Sequence, residues 1–500
     1  MKNTIISAII MIAVILALIL TGHLNILLAV FMIGVIICFH EFGHFLIARM
    51  NGVTVKEFSI GMGPRIFSRK IRGTRWSLKL FLFGGSCLML GDDDSLMANQ
   101  VDEDEYDKEG TPEQAKSEEE SSDNPDGTEA KSAKTEAEEG VSFASKNVWQ
   151  RISIIFAGPF FNFILAFLLA CIILGSIGYD PALVTSVSED IAAKTGLSVG
   201  DTITSYEDHT IRIGRDIALY ETLDGVPSSV TITYEHEGTS YTKTYDTVYL
   251  KKYMCGIGYT DYQDGTIVPM TLTQVVGAAA EAGLHVNDEV VKFNGVEIHT
   301  SSDFRNYVSE HPIGADPVEF VIKRGDRELT YKVTPVLTEE YQLGFGYNID
   351  YREKVGPFGV IKYGVTEVRY WIKATIKSLG YMLKGKASRK DVGGAVRIVS
   401  EVSNVVDESY ETDGAFYAFL NLINWAILLS ANLGVMNLLP IPALDGGRLL
   451  FLFVEAIRGK KANPKVEAAV TLTGFVLLML LMVLIIFNDI SNIFGMILPL

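Results

Sequence analysis

Residues 468–487 run for 20 positions without a charged side chain, which is about the length a helix needs to cross a bilayer core. Four further apolar runs cover residues 5–20, 26–39, 152–179 and 416–439. The second reaches spanning length only by continuing through residues 40–48, so it carries ionisable groups to membrane depth. Buried helices of a large soluble protein would rarely stay uncharged for so long. The expectation is a multi-pass α-helical membrane protein with five spans. The first run follows Lys2 and could be a signal peptide, but no small-x-small cleavage pattern follows it. It is read as an additional membrane helix over residues 1–22.

Charge is distributed as unevenly as hydropathy. Residues 92–139 hold 19 Asp/Glu and 4 Lys, a net of −15 out of −17 for the chain. With almost no aliphatic side chains to bury, this acidic stretch (92–145 with its flank) is expected to be a disordered insert. Eight Lys/Arg lie between residues 49 and 79, and Lys146 and Arg151 precede the third run. By the positive-inside rule this connection is cytoplasmic. The run at 152–179 then exits, the run at 416–439 returns, and Arg448, Arg458, Lys460 and Lys461 follow it inside. Cys38, Cys87, Cys171 and Cys255 form no CxxC, which argues against a disulfide framework or a thiolate metal site. No nucleic-acid partner is expected.

The external stretch repeats itself. Residues 192–203 read AAKTGLSVGDTI and residues 279–290 read AAEAGLHVNDEV, so Gly196 and Asp201 recur as Gly283 and Asp288. The shared offset of 87 is too long for a solenoid and suits two small α+β modules, drawn at 181–262 and 263–338. Residues 339–415 are read as a linker with an amphipathic segment.

Chemistry concentrates in His40-Glu41-Phe42-Gly43-His44. Two histidines four apart share one helix face and can ligate one zinc ion, with Glu41 placed to take a proton from water that the metal activates. Ionisable groups inside an apolar segment are costly and by default functional. A catalytic zinc needs a third protein ligand, and no other histidine lies in an apolar run. Asp445, in Asn437-Leu-Leu-Pro-Ile-Pro442-Ala-Leu-Asp445-Gly-Gly447, is the best candidate. Pro440 and Pro442 break a helix at membrane depth, which is tolerated where backbone lines a wet cavity.

HEFGH in one membrane segment, PIPALDGG in a later one and the repeated modules between them resemble the site-2 protease family, and most closely its bacterial regulator-of-sigma-E protease group. The likeness runs from residue 26 to the C-terminus, apart from the acidic insert. The resemblance implies His40, His44 and Asp445 as zinc ligands, Glu41 as catalytic base and Asn437 as a substrate-positioning residue, with Pro442 in the same substrate-facing loop. Residues 74–90, containing Gly84 and Gly85, resemble the family's membrane re-entrant β-hairpin, which offers an edge strand to an unwound substrate. Gly158-Pro-Phe-Phe-Asn162 resembles a family motif and reads equally well as a small-residue packing site for a neighbouring helix. The modules resemble circularly permuted PDZ domains, which act as peptide docks or as plugs over the membrane site.

Resemblance thus implies intramembrane cleavage of single-span proteins, such as anti-sigma factors trimmed by an upstream site-1-type protease, or remnant signal peptides. The setting is a bacterial cell membrane, with the active site toward the cytoplasm and the PDZ-like modules outside. The alternative is a non-catalytic membrane scaffold that binds peptides through those modules. Three departures stand out: the additional N-terminal run, the long acidic insert, and Asp391-Val-Gly-Gly-Ala, which lacks a proline the family often carries there.

Overall fold

The computed structural model describes residues 24–92, 140–259, 269–325, 327–386, 393–461 and 463–497. The first apolar run and nearly all of the acidic insert lie outside these residues. The described chain falls into two units, Asp180–Tyr351 and the remainder.

The helical unit starts with α1 (Leu24–Met50), followed by strands β1 (Val55–Ile71) and β2 (Thr74–Met89) and then α2 (Val148–Ile177). Asn147 caps α2 through a reciprocal box with Gln150, which satisfies amide donors that the first turn would leave unpaired. Among the described residues four helices are long and apolar enough to span a bilayer: Leu24–Met50, Val148–Ile177, Ala415–Leu438 and Lys465–Phe487.

The strands depart from the expected hairpin. The reversal falls at Arg72-Gly73, not within residues 74–90, and both turn residues have positive φ, 49° and 84°. That is the backbone of a two-residue turn whose twist suits paired strands. Both strands then fold over. Phe58 pairs with Cys87 on one side and with Trp76 on the other, while Ser68 pairs with Ser77. The result is a small four-segment sheet in the order 84–89, 55–60, 74–79, 65–71. Gly61, Gly63 and Gly84, at φ of 85°, 88° and 97°, stand where the strands bend.

The β-rich unit holds two modules. The first contains β3 (Val184–Val187), α3 (Glu189–Thr195), β4 (Thr202–Tyr206), β5 (His209–Thr210), α4 (Gly214–Asp224), β6 (Ser229–His236), β7 (Thr239–Asp246) and β8 (Val248–Met254). The second contains β9 (Ile257–Tyr259), β10 (Leu272–Val275), α5 (Ala278–Glu281), β11 (Glu289–Phe293), β12 (Val296–Glu297), α6 (Ser301–Glu310), β13 (Val318–Arg324) and β14 (Arg327–Val333). Their sheets have matching order, β5-β4-β6-β7 and β12-β11-β13-β14. The repeat seen in sequence thus corresponds to a repeated topology. Leu197 and Ile203 are buried in the first core as Leu284 and Val290 are in the second.

The expected module boundaries need correction. After β14 the chain returns to the first module: β15 (Val336–Gln342) pairs with β8, and β16 (Phe345–Tyr347) pairs with β3. Leu343 and Phe345 enter the first core, so residues 339–347 are not linker. Conversely Cys255, Ile257 and Tyr259 pack in the second core. Hydrophobic burial, not sequence order, assigns these segments.

The remaining helices are α7 (Pro357–Leu383), α8 (Ala395–Thr412), α9 (Ala415–Leu438), α10 (Asp445–Arg458) and α11 (Pro464–Ile497). α2 and α9 share a core of Ala166, Ala170, Ile173, Ile423, Ile427 and Ala431. Ser430 Oγ donates to the Asn162 carbonyl at 2.8 Å in the same seam.

Candidate active site

His40 and His44 sit one turn apart on α1, each 7% exposed, with their Nε2 atoms 3.2 Å apart. Asp445 opens α10 and brings Oδ2 to 3.2 Å from His40 Nε2 and 3.4 Å from His44 Nε2. Beyond these two contacts this buried oxygen has no hydrogen-bond partner. Such an orphan is costly unless something else meets it. Three donors held around a tetrahedral metal at about 2.0–2.1 Å lie about 3.3 Å apart. The observed separations have that spacing, so the three side chains fit a zinc ion. Among the described residues this is the one cluster of His, Cys, Asp and Glu so disposed.

Local sequence explains why these atoms meet. Two prolines end α9 and leave a loop with Ala443 at φ 74°, a conformation that L-residues seldom adopt and that clusters at functional sites. A Cβ on Gly446 would lie 2.1 Å from the Leu439 carbonyl oxygen, and one on Gly447 would lie 2.5 Å from that of Ile441. The double glycine therefore lets α10 begin hard against the end of α9, carrying Asp445 with it. Ion pairs hold α10 further along: Arg448 with Asp92, and Arg151 of α2 with Glu455.

α2 supplies the other wall. His44 Nδ1 lies 2.9 Å from the Ile154 carbonyl oxygen. A carbonyl only accepts, so Nδ1 carries a proton, and in the neutral imidazole the Nε2 lone pair is then the one turned toward Asp445. One turn on, a Cβ at Gly158 would lie 2.2 Å from His44 Nε2 and 2.8 Å from His40 Cε1. The small residue that sequence reads as a helix-packing site is thus packed against the imidazoles themselves. Nothing in the sequence singles out Ile154, because its contribution is a backbone carbonyl.

Glu41 faces the sheet. A Cβ on Gly85 would come within 2.9 Å of Glu41 Cγ, so the bare backbone of residues 84–89 runs beside the glutamate. This segment is an edge of the sheet, and beyond Ser59 and Ile60 no other strand pairs with Gly85 or Ser86 among the described residues. Gly84 forms the bend that starts it. Asn437 lies on the last turn of α9 and Pro442 in the loop before Asp445. Neither is hydrogen-bonded to the His40–His44–Asp445 cluster, although a Cβ on Gly474 of α11 would lie 2.3 Å from Pro442 Cβ.

Two histidines and a carboxylate converging on one point, with a glutamate next to them in sequence, are the donor set of a candidate metal site in a chain whose described residues include four helices long and apolar enough to span a bilayer. Comparison with known proteins names the family. Residues 28–481 match the model of peptidase family M50. The zinc metalloprotease RasP of Bacillus licheniformis and the regulator of sigma-W protease RasP of Bacillus subtilis are each 30% identical, over 92% of this chain and 97% of theirs. A putative zinc metalloprotease of Clostridium perfringens is 28% identical over 93% of this chain and 98% of its own. Among solved structures, an HtrA3 PDZ domain bound to a phage-derived ligand covers 19% of this chain at 18% identity, with a TM-score of 0.16 too low to carry an argument. The chain belongs to peptidase family M50 and is a metalloprotease.

Proposed function

We propose that this protein is a zinc intramembrane protease that cleaves single-span membrane proteins within or beside their transmembrane segments. The observation that carries this reading is the set of three buried donor atoms 3.2–3.4 Å apart with Glu41 adjacent in sequence. His40, His44 and Asp445 would hold the ion. Bound there, zinc supplies a Lewis acid that makes water nucleophilic near neutral pH and polarises a peptide carbonyl.

The chain's own residues do the rest. Glu41 takes the proton of the attacking water on its carboxylate and returns it to the leaving amine. A helical substrate has its carbonyls tied up in i→i−4 bonds and must be opened before attack. The edge at residues 84–89 supports β-addition of such an opened segment directly beside Glu41. Asn437 would orient the substrate backbone and Pro442 would line its path. Basic residues around β1 and β2 support a cytoplasm-facing site, with the two β-rich modules on the other side of a bacterial cell membrane. There they would act as PDZ-like docks or size filters. Trimmed anti-sigma factors or remnant signal peptides are the substrates this reading favours, with an upstream site-1-type protease doing the trimming. The regulator of sigma-W protease among its relatives supports a regulatory substrate.

The test is cleavage of a tagged single-span substrate in membranes. Loss of product both in Glu41→Gln and after zinc chelation is expected. No product from the wild type on a substrate already trimmed outside, with zinc bound, would overturn proteolysis in favour of a peptide-binding scaffold.

A further inference from the structure

The geometry points to Asn162 as a positioning residue that sets the tautomer of His40, with its amide oxygen accepting from Nδ1–H. This rests on reading His40, His44 and Asp445 as a metal site. Ile154, Gly158 and Asn162 are spaced four apart on one face of α2, opposite the two histidines of α1. His44 reaches the first of them, both rings lie over the second, and His40 reaches the third. The two imidazoles thus have matching supports, one from backbone and one from a side chain.

Their demands match as well. To offer Nε2 to a metal, a neutral histidine must carry its proton on Nδ1 and needs an acceptor there. Ile154 gives His44 that acceptor. Against His40 Nδ1 the amide group of Asn162 stands 3.2 Å away, fully buried, with its nitrogen toward the ring. In that sense the amide donates to Nδ1 and drives the proton onto Nε2, the atom that faces Asp445. Nothing else holds the amide that way, because Asn162 Oδ1 has no hydrogen-bond partner. Amide oxygen and nitrogen exchange places by a half-turn of the side chain with no change in shape. After that turn the oxygen accepts from Nδ1–H and the Nε2 lone pair faces Asp445. Asn162 therefore has a task beyond packing. It makes the pair of histidines a pair of metal donors instead of one donor and one N–H.

The experiment measures zinc affinity of the purified full-length protein in detergent, by competition with a chromophoric chelator, so that it does not depend on turnover. Asn162→Leu keeps the bulk and removes the acceptor, and is expected to weaken zinc binding about 10–100-fold. Asn162→Asp can only accept and is expected to stay within about threefold of wild type. Ser430→Ala disturbs the same α2–α9 seam without touching a ring and is expected to leave affinity unchanged. Asn162→Ala replaces the leucine variant if that protein is not monodisperse. Unchanged affinity in the variant lacking the acceptor overturns the proposal. So does an equal loss in Asn162→Asp, which would make the amide a donor, or an equal loss in Ser430→Ala, which would make the role one of packing. A wild-type protein that takes up no zinc would overturn the metal reading itself before any variant is compared.

Discussion

Asp445 in the helical unit, half-buried with its Oδ2 atom enclosed, and Asp288 in the β-rich unit, fully buried, are satisfied in opposite ways. Asp288 is 1% exposed and closed on all sides: Arg324 donates from Nε at 2.7 Å and from Nη2 at 2.8 Å, and the His285 amide donates at 2.8 Å. Asp445 has two imidazole nitrogens at 3.2 and 3.4 Å and an orphan oxygen. A carboxylate with both oxygens already paired, and paired to an arginine, serves the fold. One with an oxygen left unpaired keeps a lone pair free for a cation, the role proposed for Asp445. The first module repeats the closed design with a change. Asp201, the counterpart of Asp288, accepts from the Ser198 amide at 2.8 Å and pairs with His236 Nδ1 at 2.6 Å. There the partner titrates, whereas Arg324 does not.

Each part of this contrast can be broken by experiment. The largest effect is expected at the open site. Glu41→Gln should lower cleavage about 10²–10⁴-fold with zinc retained, whereas Asp445→Ala should lose zinc as well, as read by metal content. Retained zinc in the second variant would show that Asp445 is not needed to complete the site. Gly158→Ala comes next. Its methyl would fall 2.2 Å from His44 Nε2, so zinc affinity should drop about 10–100-fold with the helices still formed, as followed by competition titration and circular dichroism.

At the closed site, Asp288→Ala should destabilise the second module by about 2–3 kcal/mol and leave zinc affinity untouched. Hydrogen exchange of the full-length protein reads this as faster exchange in β11 and β13 but not in β4 and β6. The smallest effect separates the modules by pH. The hydrogen bond to Asp201 raises the pKa of His236 above its ordinary 6.5. A raised folded-state pKa means the pairing contributes in full below 6.5 and is lost as pH climbs through the raised value. Exchange protection of the first module should therefore fall with rising pH through that window. His236→Gln should remove the slope, and the second module should show none.

Some of this was legible in the chain alone. HEFGH fixes its own geometry, because a helix places residues four apart on one face whatever surrounds it. Of the five spans expected, four fall among the described residues; three of these follow from uncharged length and the other carries HEFGH, while the repeated modules follow from matched positions 87 apart. The link from HEFGH to Asp445 needed the proline-broken loop and the family likeness, since no local period connects residues 44 and 445. The sheet was only half legible. A strand-rich segment with glycines could be read, but not that β1 would fold over and pair with β2 on both its sides. Nor could residues 339–347 be assigned to the first module from their position after the second.

The sequence by itself determined every element whose cause is local: helix faces, spans, turns and the pair of histidines with its glutamate. Only the tertiary structure decided which distant groups complete them. The Asp445 carboxylate, the Ile154 carbonyl, the bare backbone at Gly158 and the Asn162 amide reach the histidines because α2 packs against both α1 and α10, and packing is settled by burial summed over whole helix faces. A backbone carbonyl leaves no mark in a sequence, and an asparagine looks the same whether it lines a seam or holds a ring.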